Sequence, residues 1–295
     1  MRHLLEIDDL SVDELRHVIE LAQHPDPPKV LAGKGAALVF EKPSLRTRNS
    51  MEMAVVQLGG HPTYIQGSEV GLDTRESVED VTRTLAGYHA CLGARVFEHS
   101  KVERMAALDV VPVVNLLSDS AHPMQALADA LTMVNEFGSV EGRVVAYVGD
   151  SNNVTRSLGL VVGMLGGEFR IASPATYSFG EDDLARLRAT GGVVHQTDDP
   201  FEAVKGADVV YSDVFTSMGQ EDEMERRLVD FAAYQVNPEL MTATNSGIFL
   251  HCLPAHRGEE VAAAVLDGPA SRVWQQAENR MHSARGYLAF VLGES

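Results

Sequence analysis

The sequence has few cysteines, little positive charge and no long apolar run, and each shortage argues against a class of protein. Two cysteines in 295 residues, Cys91 and Cys252, are too few for a disulfide framework and favour a reducing compartment. Lysine and arginine number 24 against 42 acidic residues, and a net charge of −18 repels nucleic acid and anionic membranes. No run is long enough to span a bilayer, and the acidic N-terminus MRHLLEIDDL does not fit a signal or transit peptide. We therefore predict a cytoplasmic protein.

Apolar residues are plentiful and follow an alternating pattern. They make up 45% of the 295 positions, enough for the core of one large domain or two ordinary ones. Short apolar runs alternate with stretches of helical periodicity, which is typical of α/β layers with parallel sheets. The strand candidates are residues 36–40, 143–148, 169–172, 209–212 and 248–250, and a long helix is predicted at 121–137.

These elements predict how the chain is organised. A polar turn after residue 137 separates two halves, so we predict two doubly wound parallel-sheet α/β domains. The first domain would be residues 1–137, with the C-terminal helix 276–295 packing back on it, and the second 138–275. Ligands of such sheets bind beyond the carboxyl ends of the strands, and we expect the active site in the cleft between the domains.

The segment after the first strand candidate is suited to an anion. Residues 44–48, SLRTR, bring hydroxyl and guanidinium groups to a predicted helix N-terminus. Unpaired backbone N–H groups and the helix dipole favour an anion there, and arginine adds a bidentate fork that matches phosphate. The alternative is an ordinary N-cap flanked by surface arginines, and this segment alone supports both interpretations.

A second segment, His122-Pro-Met-Gln125, opens the long predicted helix. His122 and Gln125 are three residues apart, so they share a helix face. A histidine donates a hydrogen bond to a carbonyl oxygen, and a glutamine binds an amide-like group. Taken alone, a structural histidine at a capped helix start is the better interpretation.

Two later strand ends carry further polar groups. The Asp213 carboxylate, with a nearby hydroxyl, is suited to an ammonium group, although a capped strand-to-helix turn has the same composition. His251, Cys252 and His256 suggest zinc or a Cys–His nucleophile, but structural zinc usually takes four ligands and the sequence has no CxxC pair. Arg280 either closes over an anion or lies on the charged face of an ordinary helix.

Taken together, these segments resemble the aspartate/ornithine carbamoyltransferase family in order and separation, nearly from end to end. Residues 44–48 resemble its carbamoyl-phosphate motif, and residues 122–125 its carbamoyl-binding helix. Two segments are similar to the ornithine branch, Asp213-x-x-x-Ser217-Met218-Gly219 and the HCLP run at 251–254.

The resemblance implies transfer of a carbamoyl group from carbamoyl phosphate to ornithine, without a metal, a cofactor or a covalent intermediate. The implied carbamoyl-phosphate ligands are Ser44, Leu45 through its N–H, Arg46, Thr47, Arg95, His122, Gln125, Cys252, Leu253 and Arg280. The implied ornithine ligands are Asn153, Asp213, Ser217 and Met218. The residues implied in catalysis are Arg95, His122, Asp213 and Cys252. The resemblance also implies a homotrimer or a multiple of trimers, with no nucleic-acid or membrane partner.

The sequence departs from the family pattern at two positions near the predicted phosphate site. Leu45 stands where many members have threonine, so a main-chain donor is kept and one hydroxyl is lost. Glu69 stands where some members carry a glutamine that reaches into a neighbouring subunit's site. Arg75, close to it in sequence, is the candidate to replace that contact.

Three other functions compete with this interpretation. One is a carbamoyltransferase for putrescine or an acylated ornithine. A second is a dinucleotide-binding oxidoreductase, but the turn after residue 148 has only Gly149 and lacks G-x-G-x-x-G. The third is a catalytically silent regulatory homologue.

Overall fold

The computed structural model describes residues 1–216 and 221–293, and its elements alternate between helix and strand. The strands are β1 Gly35–Phe40, β2 His61–Gln66, β3 Cys91–Arg95, β4 Val113–Leu117, β5 Val144–Val148, β6 Glu168–Ala172, β7 Val193–Thr197, β8 Val209–Ser212 and β9 Ile248–His251. The α-helices are α1 Val12–Gln23, α2 Leu45–Gln57, α3 Gly67–Val70, α4 Val78–Ala86, α5 His99–Ala107, α6 Pro123–Phe137, α7 Asn153–Met164, α8 Glu181–Ala189, α9 Pro200–Val204, α10 Met224–Asp230, α11 Pro238–Thr242, α12 Ala263–Leu266 and α13 Val273–Gly293. Short 3-10 turns lie at Ile7–Asp9, Ala175–Tyr177, Glu221–Glu223 and Ala232–Tyr234.

The chain forms two compact units. The first is Met1–Leu131 together with the chain from Glu278 onward, and the second is Thr132–Ala277. Among the described residues, no helix is both long and apolar enough to cross a membrane.

The first unit contains a parallel sheet of order β2-β1-β3-β4. The apolar strand β1 is almost wholly buried between its two neighbours. Phe40, its last residue, lies opposite Gln66 of β2 and Arg95 of β3. Because the three strands end at one level, the segments that follow them meet at the same edge of the sheet.

The second unit contains a parallel sheet of order β7-β6-β5-β8-β9. The chain winds outward from β5 to β7 and then returns to place β8 and β9 on the other side, so the order reverses between β5 and β8. Ser212 ends β8 opposite His251 of β9. Both sheets are doubly wound, which confirms the predicted fold class, and the switch point of the second sheet receives the turns after Val148 and Ser212.

Arg285 connects the last helix to the first. Its guanidinium donates to the carbonyl oxygens of Ala22 and His24, at 2.8 and 2.9 Å, where α1 ends, and to Gln57 Oε1 at 2.9 Å. Gly286 lets the two helices approach closely, since a Cβ there would lie 2.6 Å from the Val18 carbonyl oxygen. Burial lowers the pKa of Arg285, but these acceptors compensate for the buried charge.

We expect Arg285→Met to lower the free energy of unfolding by about 3 kcal/mol, because three charge-assisted hydrogen bonds are lost from a buried site. Urea unfolding measures this loss. The matched control is Arg16→Met, which removes an exposed arginine of α1 that lies 3.7 Å from Asp13. That control should change stability by less than about 0.5 kcal/mol. Equal losses in the two variants would contradict the role given to Arg285.

Candidate active site

The turn between β1 and α2 presents an anion site. Ser44 is the N-cap of α2: its Oγ accepts from the Thr47 N–H at 3.3 Å and donates to Thr47 Oγ1 at 3.1 Å. The N–H groups of the first turn and the helix dipole add positive potential. Arg46 is half-buried in this turn, and Leu45 is 75% exposed, so its side chain points to solvent. The site therefore offers main-chain donors and hydroxyls, as the sequence predicts.

Two guanidinium groups converge on one hydroxyl of this turn. Arg95, at the end of β3, donates from Nη1 to Thr47 Oγ1 at 3.3 Å, and Arg280 of α13 donates from Nη2 to the same atom at 3.2 Å. All three side chains are buried. Two buried cations beside a helix N-terminus favour a doubly charged anion such as a phosphate.

The loop from β4 to α6 places His122 and Gln125 beside these cations. The loop is held by Asn115, whose Nδ2 donates to the Leu5 carbonyl oxygen at 2.9 Å and to Ser118 Oγ at 3.1 Å. Gln125 lies in the first turn of α6, and its Oε1 accepts from Arg280 Nη1 at 2.5 Å. The structure thus brings together the predicted residues Ser44, Thr47, Arg95, Gln125 and Arg280 through hydrogen bonds, with His122 in the same loop.

The surroundings of His122 favour its neutral form. Burial lowers its pKa well below the usual value, and the positive charges of Arg280 and Arg95 lower it further. A neutral imidazole with a protonated ring nitrogen is still a hydrogen-bond donor. His122 is therefore suited to polarise a carbonyl oxygen by donating a hydrogen bond.

This lowered pKa predicts a pH-dependent stability. As pH falls from 7 to 5, the unfolded chain takes up a proton at His122 more readily than the folded chain does, so folding stability falls. From an unfolded pKa of about 6.5 the loss is at most about 2 kcal/mol. We expect His122→Gln to lose less stability than wild type over this interval, by at most about 2 kcal/mol, measured by urea unfolding at both pH values. His195→Gln removes a solvent-exposed histidine and should keep the wild-type dependence. If His122→Gln also keeps the wild-type pH dependence of stability, His122 does not have the lowered pKa assigned to it.

In the second unit a carboxylate and a thiol meet at adjacent strand ends. Asp213 follows β8 and Cys252 follows β9, and Cys252 Sγ donates to Asp213 Oδ1 at 2.9 Å. Asn152 Nδ2 donates to Asp213 Oδ2 at 3.3 Å. Asp213 is buried, so both its oxygens are directed by these partners. A fixed carboxylate of this kind is suited to an amine.

Asn152 is a neighbour of Asp213 that the sequence analysis did not identify. It is the N-cap of α7, and its Oδ1 accepts from the N–H groups of Val154 and Thr155. The predicted residue Asn153 is the first residue of the helix. The run DSNN after Val148 is an N-cap pattern, and this was the available signal. The predicted residues Ser217 and Met218 lie outside the described residues.

An ion pair that was not predicted fixes the loop after β5. Arg227 Nη1 donates to Asp150 Oδ2 at 2.8 Å and to the Phe215 carbonyl oxygen at 3.0 Å, and both charged side chains are buried. Burial raises the pKa of Asp150, and Arg227 opposes that shift. Arg227 thus connects the turns that follow β5 and β8.

The HCLP segment is built around a buried histidine. His251 Nε2 lies 3.1 Å from Glu260 Oε1, and its Nδ1 accepts from the Leu253 N–H at 2.9 Å. Potential ligand atoms of Asp213, His251 and Cys252 lie within 4.8 Å of one another. Both nitrogens of His251 are already engaged, so binding a metal there would require breaking one of these contacts. The geometry favours a structural role for His251, which orients the Leu253 backbone.

One parallel-sheet unit thus holds a helix N-terminus with two buried guanidinium groups, suited to a phosphate-bearing ligand, and the other holds a carboxylate–thiol pair, suited to an amine. Comparison with known proteins agrees. The carbamoyl-P binding domain of aspartate/ornithine carbamoyltransferases matches residues 2–135, and the Asp/Orn binding domain matches residues 141–291. The chain belongs to the aspartate/ornithine carbamoyltransferase family.

Individual relatives match over nearly the full length. The chain is 48% identical to an ornithine carbamoyltransferase of Hyperthermus butylicus, with 99% of this chain and 97% of the relative covered. A solved ornithine carbamoyltransferase of Pyrococcus furiosus is 42% identical with a TM-score of 0.95, covering 100% of this chain and 98% of that one. A solved anabolic ornithine carbamoyltransferase of Campylobacter jejuni is 31% identical with a TM-score of 0.94, and both chains are covered completely.

Proposed function

We propose that this transferase moves the carbamoyl group of carbamoyl phosphate to the side-chain amine of L-ornithine, giving L-citrulline and phosphate. The observation that carries the proposal is the convergence of Arg95 and Arg280 on Thr47, with Gln125 bound to the same Arg280. A phosphate site and an amide-binding group are thus joined through one guanidinium. Carbamoyl phosphate combines a phosphate with an amide.

On the donor side, the phosphate is bound by the first turn of α2 and by the two buried arginines. The proposed ligands are Ser44, the Leu45 N–H, Arg46, Thr47, Arg95 and Arg280. Neutral His122 donates to the carbonyl oxygen with help from Thr47 and Arg95, and Gln125 holds the carbamoyl NH₂. These groups are fixed before the reaction, so they stabilise the charge that develops on oxygen in the tetrahedral intermediate.

On the acceptor side, Asn153 and Asp213 bind the amino-acid end of ornithine, with Ser217 and Met218. An alkylamine has a pKa of about 10.4 and must lose a proton before it attacks. The Asp213 carboxylate, directed by Cys252, is the acceptor that favours the neutral amine, and Cys252 and the Leu253 carbonyl face the reacting centre. The neutral amine nitrogen then bonds to the carbonyl carbon, the bond from that carbon to the phosphate oxygen breaks, and the departing phosphate takes the second proton from the nitrogen.

The assignment extends to organisation and context. Residues 1–137 with the helix 276–295 would bind carbamoyl phosphate, and residues 138–275 would bind ornithine. We further propose a cytoplasmic homotrimer, or a multiple of trimers, that acts in arginine biosynthesis. The name of the Campylobacter jejuni relative, an anabolic enzyme, supports that direction.

The experiment that tests the function is an assay of carbamoyl transfer with three acceptors. Ornithine, putrescine and acetylornithine are each supplied with carbamoyl phosphate, and both phosphate release and the carbamoylated product are measured. We expect citrulline from ornithine and no product from the other two. Product only from putrescine or acetylornithine would contradict the assigned acceptor, and no transfer to any of the three would contradict the activity itself.

A further inference from the structure

We propose that Asp129 is a positioning residue that fixes the amide orientation of Gln125 and thereby makes the donor site select a carbamoyl over an acetyl group. This inference rests on the proposed function in one respect, that Gln125 holds the carbamoyl NH₂. Asp129 lies one helical turn after Gln125 on α6, and its Oδ1 accepts from Gln125 Nε2 at 2.8 Å.

The two neighbours of Gln125 define which end of its amide is which. A guanidinium only donates hydrogen bonds, so the Gln125 atom that faces Arg280 must be the oxygen. An ionised carboxylate only accepts, so the atom that faces Asp129 must be the NH₂ group. The reversed amide would place NH₂ against a cation and oxygen against an anion, so both contacts would become repulsive.

Burial makes this orientation strict. Gln125 is 1% exposed, Asp129 0% and Arg280 4%. Water therefore has little access to replace either contact, and in a site of low polarity a mismatched amide is costly. Without Asp129, Gln125 would keep one directing partner and gain freedom to rotate its NH₂ group.

The orientation matters for the donor because an amide oxygen accepts two hydrogen bonds. Arg280 occupies one lone pair of Gln125 Oε1, and the other is available for the NH₂ of a carbamoyl group. An acetyl group of the same shape has a methyl there and donates nothing. A site built to accept an N–H rejects the analogue that lacks it, so fixing the Gln125 oxygen fixes this preference.

The test uses two stable probes that differ only at this point, phosphonoacetamide with NH₂ and acetonylphosphonate with CH₃. Their dissociation constants are measured by calorimetry on the full chain. Wild type should bind phosphonoacetamide about 100-fold more tightly than acetonylphosphonate. In Asp129→Leu this ratio should fall about tenfold or more, whereas Asp129→Asn, whose amide oxygen still accepts, should stay within about threefold of wild type.

Leu131→Val is the matched control. It removes a methylene from a buried side chain of the same helix, so it costs stability without changing a partner of Gln125, and its ratio should equal that of wild type. Asp129→Ala replaces Asp129→Leu if the larger apolar side chain prevents folding. The inference would be overturned if Asp129→Leu, or Asp129→Ala in its place, kept the wild-type ratio of the two dissociation constants. It would also be overturned if wild type bound the two probes equally well. A wild type that distinguishes them but makes no citrulline would remove the proposed acceptor and leave the inference standing.

Discussion

Asp213→Asn is expected to lower kcat with ornithine by about 10³-fold, the middle of the range for loss of a general base. The carboxylate accepts from Cys252 Sγ at 2.9 Å and from Asn152 Nδ2 at 3.3 Å, so both oxygens are already aligned for an incoming ammonium. An asparagine has nearly the same shape but accepts no proton from that ammonium. Ornithine would bind more weakly, because Asp213 is also a proposed ligand of its amino-acid end, and the bound amine would remain largely protonated. Steady-state citrulline formation measures the loss.

Donor binding separates this effect from general damage. Asp213 belongs to the second unit and the proposed phosphate ligands to the first, so the dissociation constant of phosphonoacetamide should stay within about twofold. Asp230→Asn is the matched control, because Asp230 is a carboxylate of the same unit that accepts from the Tyr177 hydroxyl at 2.8 Å. It should leave kcat unchanged. Turnover of Asp213→Asn within tenfold of wild type would remove Asp213 from the proton-transfer step.

Cys252→Ser should also lower kcat, but by less than Asp213→Asn does. Cys252→Ser keeps a hydrogen-bond donor at the position but shortens its reach to Asp213, so turnover should fall more than donor affinity. If turnover is unchanged, Cys252 has no part in activating the amine. The two variants together distinguish a thiol that directs the carboxylate from one that only fills space.

The strands that were predicted from the sequence are mostly apolar and belong to the core of their sheets or end beside it. The predicted strand 209–212 has the observed bounds, and each of the other four candidates differs by one residue at one end. The strands β2 and β7 were not among the candidates. Both are edge strands with exposed or half-exposed residues, and β2 contains Pro62, so neither has the pattern of a buried strand.

Two buried strands, β3 and β4, were not among the sequence candidates for a different reason. β3 reads CLGAR and β4 reads VVNLL, and both are almost completely buried. Their polar members have partners from far along the chain: Arg95 at the end of β3 donates to Thr47, and Asn115 in β4 donates to the Leu5 carbonyl oxygen. A five-residue window cannot show that a buried polar group will find its partner, so these runs resemble loops.

The residues of the candidate site also fall into two groups, those that a local motif predicts and those that only the folded chain shows. Residues of short local motifs, such as Ser44 and Thr47, were found from the sequence and from the family resemblance. Arg227 was missed because it forms an ion pair with Asp150, 77 positions away in the sequence. No local sequence pattern predicts a pair between such distant residues. Asp129 was missed because a carboxylate on a helix is normally a solvated side chain. The spacing of four residues places it on the same helix face as Gln125, but only the fold shows that it is buried there.

Arg280→Lys is the second substitution expected to have a large effect, a loss of about 10²- to 10³-fold in kcat/KM for carbamoyl phosphate. The charge is kept, so a site that needs only positive potential would tolerate the change. The geometry requires more: Arg280 donates from two nitrogens to two acceptors, Gln125 Oε1 and Thr47 Oγ1. A lysine has a single nitrogen at its tip and does not span both.

The same substitution on the same helix is the control. Arg285→Lys also replaces a buried fork, but one whose acceptors are carbonyl oxygens at the end of α1 and the Gln57 side chain. It should lower the free energy of unfolding and leave kcat/KM for carbamoyl phosphate within about twofold of wild type. If both variants lose activity equally, the loss reflects displacement of α13. If Arg280→Lys alone keeps full activity, the positive charge at this position suffices and the proposed link between the phosphate site and Gln125 fails.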